Sequence, residues 1–299
     1  TYFWSMAHRV GYDAIAPVAK LLGLGQEFDL PGSRQRYGTI PDAAWKMKRY
    51  KQEWTAADSL NASIGQGYVS VSPLQLAVMV SRVASGKNLV PSLIHGQAKQ
   101  IGPALPFTPE QLQVAHDGMF NVVNGSGTAA ASRIDINGIK MAGKTGTAQV
   151  RALTARGGGG AWKSRDHSLF ICYAPADAPR YAMSIVIEHG TFGARAAAPI
   201  AKDVMTYLFD PATAWASLLA LEKQWGGTPT ERMAAEFRTY SAQYGTSAPK
   251  VGGDEEVEKT IDSAEAPTVV NQDSSKGEGD AVRSAPDAPK AEYKPAAQP

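Results

Sequence analysis

The sequence predicts an α+β fold, an antiparallel sheet flanked by helices, and two observations carry this prediction. Three strand-like stretches follow one another with no helical pattern between them, at residues 139–150, 167–174 and 181–188. Segments of helical periodicity lie before and after this group. Consecutive strands most often lie side by side in a sheet, and helices that precede and follow them then cover it.

The helices predicted before the strands carry start and stop signals. Residues 12–22 place apolar side chains at helical spacing, and Gly23 follows where that helix would end. Ser72 and Pro73 have the types expected of an N-cap and a first helical position, and Gly86 ends the apolar pattern that they open.

The remaining elements follow from the same kind of signal. Thr108 and Gln111 form a capping box that opens a helix to about Val123. The run at residues 184–187 is continuous and, apart from Ser184, apolar, as expected of a buried central strand. Further helical patterns cover residues 197–208, 213–225 and 232–240.

Composition excludes several classes of protein. The 299 residues are 43% hydrophobic and 19% charged, which excludes a wholly disordered or collagen-like chain. No run of about 18 apolar residues occurs, so the sequence predicts no membrane-spanning helix. The single cysteine, Cys172, excludes an intrachain disulfide and a cysteine-based zinc site.

Charge is distributed unevenly along the chain. Residues 246–299 hold six basic and eleven acidic residues among Pro, Ala and Ser, and they predict a disordered tail. Residues 1–245 hold 24 basic and 17 acidic residues, a net charge of +7. A mildly basic body favours anionic partners such as phosphates, carboxylates or a membrane surface.

The segment around Lys144 has two interpretations. Gly138 to Thr145 satisfies the pattern of a phosphate-binding loop, G-x-x-x-x-G-K-T. That loop requires a buried strand before it and a helix after the lysine, but Gly146 follows directly and Ile139 and Met141 alternate with Lys140 and Ala142 in the manner of a strand. The phosphate loop is therefore the distant alternative.

The second interpretation is a strand that carries Lys144-Thr145-Gly146 beside a serine nucleophile. Acyl transfer needs an activated hydroxyl, an electrostatic partner and an oxyanion hole, and Lys144 would supply a fixed positive charge. Gly146 has no Cβ, so a peptide substrate has room to lie alongside as an extra strand. Thr145 and Thr147 carry short hydroxyls able to hold a substrate carboxylate.

A longer set of motifs supports this interpretation. Residues 142–149 closely resemble the third active-site motif of penicillin-binding proteins. Other matching segments occur in order, at residues 59–68, 72–77, 118–125, 127–129, 166–170 and 173–175. Over about residues 1–210 the chain resembles those class B, monofunctional penicillin-binding proteins that act as transpeptidases in the elongation of rod-shaped Gram-negative bacteria.

This resemblance implies a fold and an activity. It implies the fold shared with serine β-lactamases, a five-stranded antiparallel sheet between helical clusters, and a serine that attacks the D-Ala-D-Ala end of a peptidoglycan stem peptide. The acyl group then passes to the amine of a neighbouring stem, and penicillin acylates the same serine. By its match, Lys144 is the catalytic strand lysine, and Thr145, Gly146 and Thr147 bind substrate, with the Thr147 N–H in the oxyanion hole.

Of the three family motifs, only Lys-Thr-Gly is convincingly present. The single Ser-x-x-Lys pattern, Ser247 to Lys250, contains Pro249 and lies in the predicted tail, so we do not assign it as the nucleophile. In the family the second motif, Ser-x-Asn or Ser-x-Asp, normally falls just before a segment like residues 1–4. We therefore expect an N-terminally truncated domain that lacks nucleophile and membrane anchor, and a chain that is inactive alone.

The expected organisation follows from the same resemblance. Residues 1–211 are predicted to be the C-terminal part of a transpeptidase domain, 212–245 a helical extension and 246–299 the tail. Expected partners are the D-Ala-D-Ala stem peptide, β-lactam antibiotics and membrane proteins of the elongation machinery, at the periplasmic face of the inner membrane. Nucleic acid is not expected as a partner. Rival hypotheses are a serine β-lactamase, a penicillin-sensing relative and a non-catalytic scaffold.

Other residues receive weaker assignments. Gly157 to Gly160 form a loop between two strands, either merely flexible or a lid. We interpret His167 as a hydrogen-bonded structural residue. The other histidines, His8, His95, His116 and His189, lack ligand-like spacing, and we assign neither a metal nor a cofactor. Basic residues interleaved with aromatic ones at residues 34–54 predict a solvated surface with aromatic packing, and the alternative is recognition of anionic glycan strands or of a lipid-linked precursor.

Overall fold

The computed structural model describes residues 2–31, 37–94, 101–136, 138–150 and 162–245. Two compact units divide the chain, at residues 1–232 and 233–299. The predicted tail, the glycine run at 157–160 and His95 lie outside the described residues. In the described part, no helix combines the length and apolar character needed to cross a bilayer.

Helices and strands alternate in blocks along the chain. The helices are α1 Tyr2–Val10, α2 Tyr12–Leu21, α3 Ala43–Tyr50, α4 Ala56–Ala62, α5 Pro73–Ser85, α6 Pro109–Asn124, α7 Gly193–Phe209, α8 Pro211–Gln224 and α9 Pro229–Tyr244. The strands are β1 Lys87–Leu89, β2 Ile101–Ala104, β3 Ala142–Ala148, β4 His167–Ala174 and β5 Tyr181–Ile187. From Met233 onward, the described residues of the second unit belong mainly to α9.

The helix boundaries confirm the capping signals of the sequence. Ser72 caps α5 and Thr108 caps α6, each in a reciprocal capping box with the glutamine three residues later. Gly86 ends α5 in the left-handed conformation, at a φ of 66°, where a side chain would be strained. Helix α7 begins four residues before the predicted start, at Gly193.

Strands β3, β4 and β5 form one antiparallel sheet in that order. The prediction that residues 184–187 form a central strand is wrong, because β4 is the middle strand of the three described. The apolar run has a different cause: α5 and α7 both contact β5, so its successive side chains meet helices on both faces of the sheet. Strand β3 is also shorter than the predicted 139–150.

The core lies on the two faces of this sheet. On one face, Phe170 and Cys172 of β4 pack with Ala201 and Met205 of α7. On the other face, Tyr173 packs with Val80 of α5. This alternation along β4 follows from the two-residue period of a strand. The sheet is therefore held between helices, as the predicted α+β class requires.

Candidate active site

The predicted site residues Lys144, Thr145, Gly146 and Thr147 are consecutive in β3. One edge of β3 pairs with β4, where Lys144 lies opposite Ile171 and Thr147 lies opposite Ser168. Among the described residues, no strand pairs with the other edge. Because side chains alternate along a strand, the hydroxyls of Thr145 and Thr147 share one face and Lys144 lies on the other.

The local structure excludes the phosphate-binding alternative. A phosphate loop would place Lys144 in a turn that opens a helix. Instead Lys144 lies within a seven-residue strand that stays in register with β4 from Ala142 to Ala148. The lysine is therefore presented by an extended backbone, as the alternating pattern of the sequence predicted.

Lys144 is a partly desolvated cation beside the strand edge. Its Nζ donates to the carbonyl oxygen of Thr145 at 2.7 Å, and the residue remains exposed. The surrounding protein nevertheless removes enough water from the amine that its pKa is lowered from the ordinary value of 10.5. A charge in such a place interacts more strongly with an anion than a fully hydrated lysine does.

Gln66, which sequence reasoning did not single out, forms hydrogen bonds to the backbone at the unpaired edge of β3. Its Nε2 donates to the carbonyl oxygen of Thr147 at 2.9 Å, and its Oε1 accepts from the Gln149 N–H at 3.4 Å. The turn that presents it has Gly65 and Gly67 at φ of 75° and 67°. Since the N–H and C=O of one strand residue point to the same edge, the Thr147 N–H also faces outward.

The N-terminus of α7 packs directly on the Lys-Thr-Gly strand. A Cβ on Gly193 would clash with the carbonyl oxygen of Leu169 and would come within 2.8 Å of the carbonyl oxygen of Gly146. Both obstacles are backbone atoms of the sheet, which cannot rotate away as a side chain can. The absence of a side chain at Gly193 therefore sets how closely α7 approaches the site.

We expect Gly193→Ala to lower the free energy of unfolding by about 1–3 kcal/mol, the usual effect of overpacking a tight site. Gly118→Ala is the matched control, because Gly118 also lies in a helix but a Cβ added there would meet no atom within 4 Å. The control should raise stability by about 0.5–1 kcal/mol through helix propensity. Urea denaturation measures both changes, and equal effects of the two substitutions would contradict this packing argument.

Other candidate residues take structural roles. Ser59, which opens the matching segment 59–68 and spells Ser-x-Asn with Leu60 and Asn61, accepts a hydrogen bond from the indole Nε1 of Trp54 at 2.7 Å. The imidazole Nδ1 of His167 accepts from the His189 backbone N–H at 2.9 Å, which confirms its structural interpretation. The Ser247–Lys250 pattern lies outside the described residues. Within the described part, no three or more His, Cys, Asp or Glu residues are grouped to hold a metal.

Fold and site together define a class of protein. An antiparallel sheet between helices, with Lys-Thr-Gly on its exposed edge strand, is the arrangement implied for penicillin-binding proteins and serine β-lactamases. The chain belongs to the penicillin-binding protein transpeptidase domain family, whose family model matches residues 1–206. The resemblance found in the sequence is thereby confirmed.

Individual relatives agree with this assignment. The chain is 34% identical to the peptidoglycan D,D-transpeptidase MrdA of Haemophilus influenzae over 227 residues, which are 69% of this chain and 34% of that protein. Its structure is similar to Pseudomonas aeruginosa PBP2 in complex with WCK 5153, with 33% identity, a TM-score of 0.59, and coverage of 72% of this chain and 44% of that one.

A further solved relative is the complex between PBP2 and MreC from Helicobacter pylori. It is 27% identical, has a TM-score of 0.61, and is matched over 70% of this chain and 38% of that one. The chain thus spans about a third of the length of the curated relatives that it matches.

Proposed function

We propose that this chain supplies the Lys-Thr-Gly part of the active site of a peptidoglycan D,D-transpeptidase. The observation that carries the proposal is that the Lys144 ammonium, bound to the Thr145 carbonyl oxygen, and the Thr147 backbone both lie at the edge of β3 that pairs with no described strand. A stem peptide added at this edge would form main-chain hydrogen bonds to β3 and meet the lysine and threonine side chains.

Each residue has a defined task in acyl transfer. A serine hydroxyl attacks the carbonyl of the penultimate D-Ala, the terminal D-Ala leaves with a proton on its amine, and the acyl-serine then reacts with the amine of a second stem. Lys144 supplies positive charge near the substrate carboxylate and the proton-transfer groups. The Thr145 and Thr147 hydroxyls bind that carboxylate, and the Thr147 N–H stabilises the oxyanion.

The nucleophile comes, in this proposal, from a segment outside these 299 residues. The sequence contains Ser-x-x-Lys only at Ser247 to Lys250, where Pro249 would interrupt a helix. The relatives are about three times as long as the matched region. We use the term parent protein for a longer protein that would join this chain to a Ser-x-x-Lys segment.

The parent protein would act at the periplasmic face of the inner membrane with partners of the elongation machinery. The support is similarity: one solved relative is a complex of PBP2 with MreC. The expected small-molecule partners are D-Ala-D-Ala stem peptides and β-lactam antibiotics. These assignments extend from the family to the parent protein and not to the isolated chain.

A fluorescent penicillin tests the proposal. We expect the parent protein to be labelled once, on the serine of Ser-x-x-Lys, and the isolated chain to remain unlabelled because it lacks that serine. Denaturing gels measure the label, and peptide mass spectrometry locates it. Stoichiometric serine labelling of the isolated chain would overturn the assignment of the nucleophile, and rapid hydrolysis of the antibiotic by the parent would indicate a β-lactamase instead.

A further inference from the structure

The hydroxyl of Thr128 lies next to the strand that carries Lys-Thr-Gly. The Oγ1 of Thr128 lies 3.0 Å from the Oγ1 of Thr145, so the two hydroxyls share one hydrogen bond. The residues are 17 positions apart in sequence and come from different elements. Thr128 is exposed and Thr145 is half-buried, which places the pair at the surface of the site rather than in the core.

The backbone around Thr128 is anchored on the C-terminus of α6. The Ala129 N–H donates to the carbonyl oxygen of Val122 at 3.0 Å, and a Cβ on Gly127 would clash with Val122. Arg133 donates from Nη2 to the carbonyl oxygen of Gly125 at 2.8 Å. The backbone position of Thr128, from which its hydroxyl reaches Thr145, is therefore set by several contacts.

The same region is tied to the start of β3. The Nδ2 of Asn124, the last residue of α6, donates to the carbonyl oxygen of Met141 at 2.8 Å. Met141 immediately precedes β3. The Asn124 side chain thus links the end of α6 to the start of β3, the two segments that carry the hydroxyls lying 3.0 Å apart.

The direction of the shared hydrogen bond decides what Thr145 can do. A threonine hydroxyl has one proton and two lone pairs. If Thr145 donates to Thr128, it has no proton left for a ligand. If Thr128 donates to Thr145, the Thr145 proton is free for an anion, and the bond that it receives makes it a stronger donor.

We propose that Thr128 is a positioning residue that donates to Thr145 and thereby directs the Thr145 hydroxyl toward the substrate carboxylate. This inference rests on the proposed function, since it assigns a supporting residue to the same site. It predicts that the Thr128 hydroxyl raises the acylation rate for ligands that carry the carboxylate and not for ligands in which that charge is masked.

The test compares Thr128→Val with Thr128→Ser in the parent protein. Valine has the shape of threonine without the hydroxyl, and serine keeps the hydroxyl. We expect Thr128→Val to lower the second-order rate constant for acylation by benzylpenicillin about tenfold, the upper range for the loss of one hydrogen bond between neutral groups. Thr128→Ser should stay within about twofold of the unsubstituted protein, less than the effect of that bond.

The methyl ester of benzylpenicillin separates this role from a purely structural one. With the ester, Thr128→Val and the unsubstituted protein should react at equal rates, because no carboxylate is present for Thr145 to bind. In a Thr145→Val background, Thr128→Val should have no further effect, since residues acting through one another are not additive. Thr206→Val is the control, because the Thr206 hydroxyl donates to the Lys202 carbonyl oxygen within α7 at 2.8 Å.

Each outcome decides the inference. An unchanged rate for Thr128→Val, an equal loss with the ester, or failure of serine to restore the rate would overturn it while leaving the proposed function intact. An unsubstituted parent protein that no penicillin acylates would overturn both. Thermal unfolding of Thr128→Val and Thr128→Ala verifies folding, and a rate loss only in variants that fail to fold would also overturn the inference.

Discussion

Lys144→Met is expected to lower the acylation rate of the parent protein by a penicillin at least about 100-fold, in the range observed when one electrostatic contact to a transition state is removed. The substitution keeps the length of the side chain and removes its charge from a partly desolvated place. Because the residue is exposed, the free energy of unfolding should change by no more than about 0.5 kcal/mol. Stopped-flow acylation and urea denaturation measure the two quantities separately.

Lys140→Met is the matched control for this experiment. Lys140 lies four residues earlier, just before β3, and is exposed like Lys144. It should leave the acylation rate within about twofold of the unsubstituted value, since it does not lie on the strand edge and its charge is screened by water. A similar loss in both variants would show that general positive charge matters rather than the Lys-Thr-Gly lysine.

The pH dependence gives an independent check on Lys144. Desolvation lowers the pKa of its amine from 10.5, so the amine loses its proton at a lower pH than an ordinary lysine. If the charged form is required, the acylation rate is retained below that pKa and falls as the pH rises through it. The alkaline limb of the rate profile should therefore lie below the ordinary lysine range and should disappear in Lys144→Met.

The second large effect is expected at a buried ion pair that supports the N-terminal helices. The Lys46 Nζ donates to Asp58 Oδ2 at 2.6 Å, and the two side chains are only 5% and 14% exposed. Asp58→Asn would leave the Lys46 ammonium buried without a counter-charge. We expect it to lower the free energy of unfolding by about 3 kcal/mol, as measured by urea denaturation of the chain.

Asp42→Asn is the control for Asp58→Asn. Asp42 also pairs with a lysine, Lys20, at 3.3 Å, but these side chains are 40% and 50% exposed. Asp42 caps α3 by accepting from the Trp45 N–H, and asparagine is as good a cap as aspartate. The control should therefore change stability by less than about 1 kcal/mol, and an equal loss in both variants would contradict the role of burial.

Asp58 also contributes to the acid sensitivity of the chain. Desolvation alone would raise the pKa of its carboxyl, but hydrogen bonds from Lys46 and Thr55 outweigh it and hold the pKa below 3.8. The ionised form thus stabilises the folded state fully above the ordinary pKa, and this contribution is lost as the pH falls through the lower folded value. In Asp58→Asn, stability should vary less over that acidic range.

Local signals were sufficient for much of the fold. The capping boxes at Ser72 and Thr108 and the terminator Gly86 were predicted because each acts through hydrogen bonds or backbone angles a few residues long. The strand around Lys144 was predicted from alternation, and the family from several motifs in order. These features depend on residues that are neighbours in sequence, so they can be predicted from the sequence without knowledge of the tertiary structure.

In the described part of the basic region at residues 34–54, Lys48, Arg49 and Lys51 are exposed and Trp45 packs on Tyr50, as predicted, but Lys46 differs. Lys46 lies within a series of basic residues, which predicted a solvated surface, yet its side chain is buried and paired with Asp58. A row of lysines and arginines does not indicate which one faces inward. That depends on a carboxylate twelve residues away on another helix, and only packing brings the two together.

By itself, the sequence determined the class of fold and the strand that carries Lys-Thr-Gly. Only the tertiary structure decided that β5 is an edge among the described strands, that Gln66 binds the strand 81 residues later, and that Thr128 meets Thr145. The physical reason is the separation in sequence between the residues that interact. Helical and strand periods are set by neighbouring residues, whereas these contacts form only after distant segments have been packed around a common core.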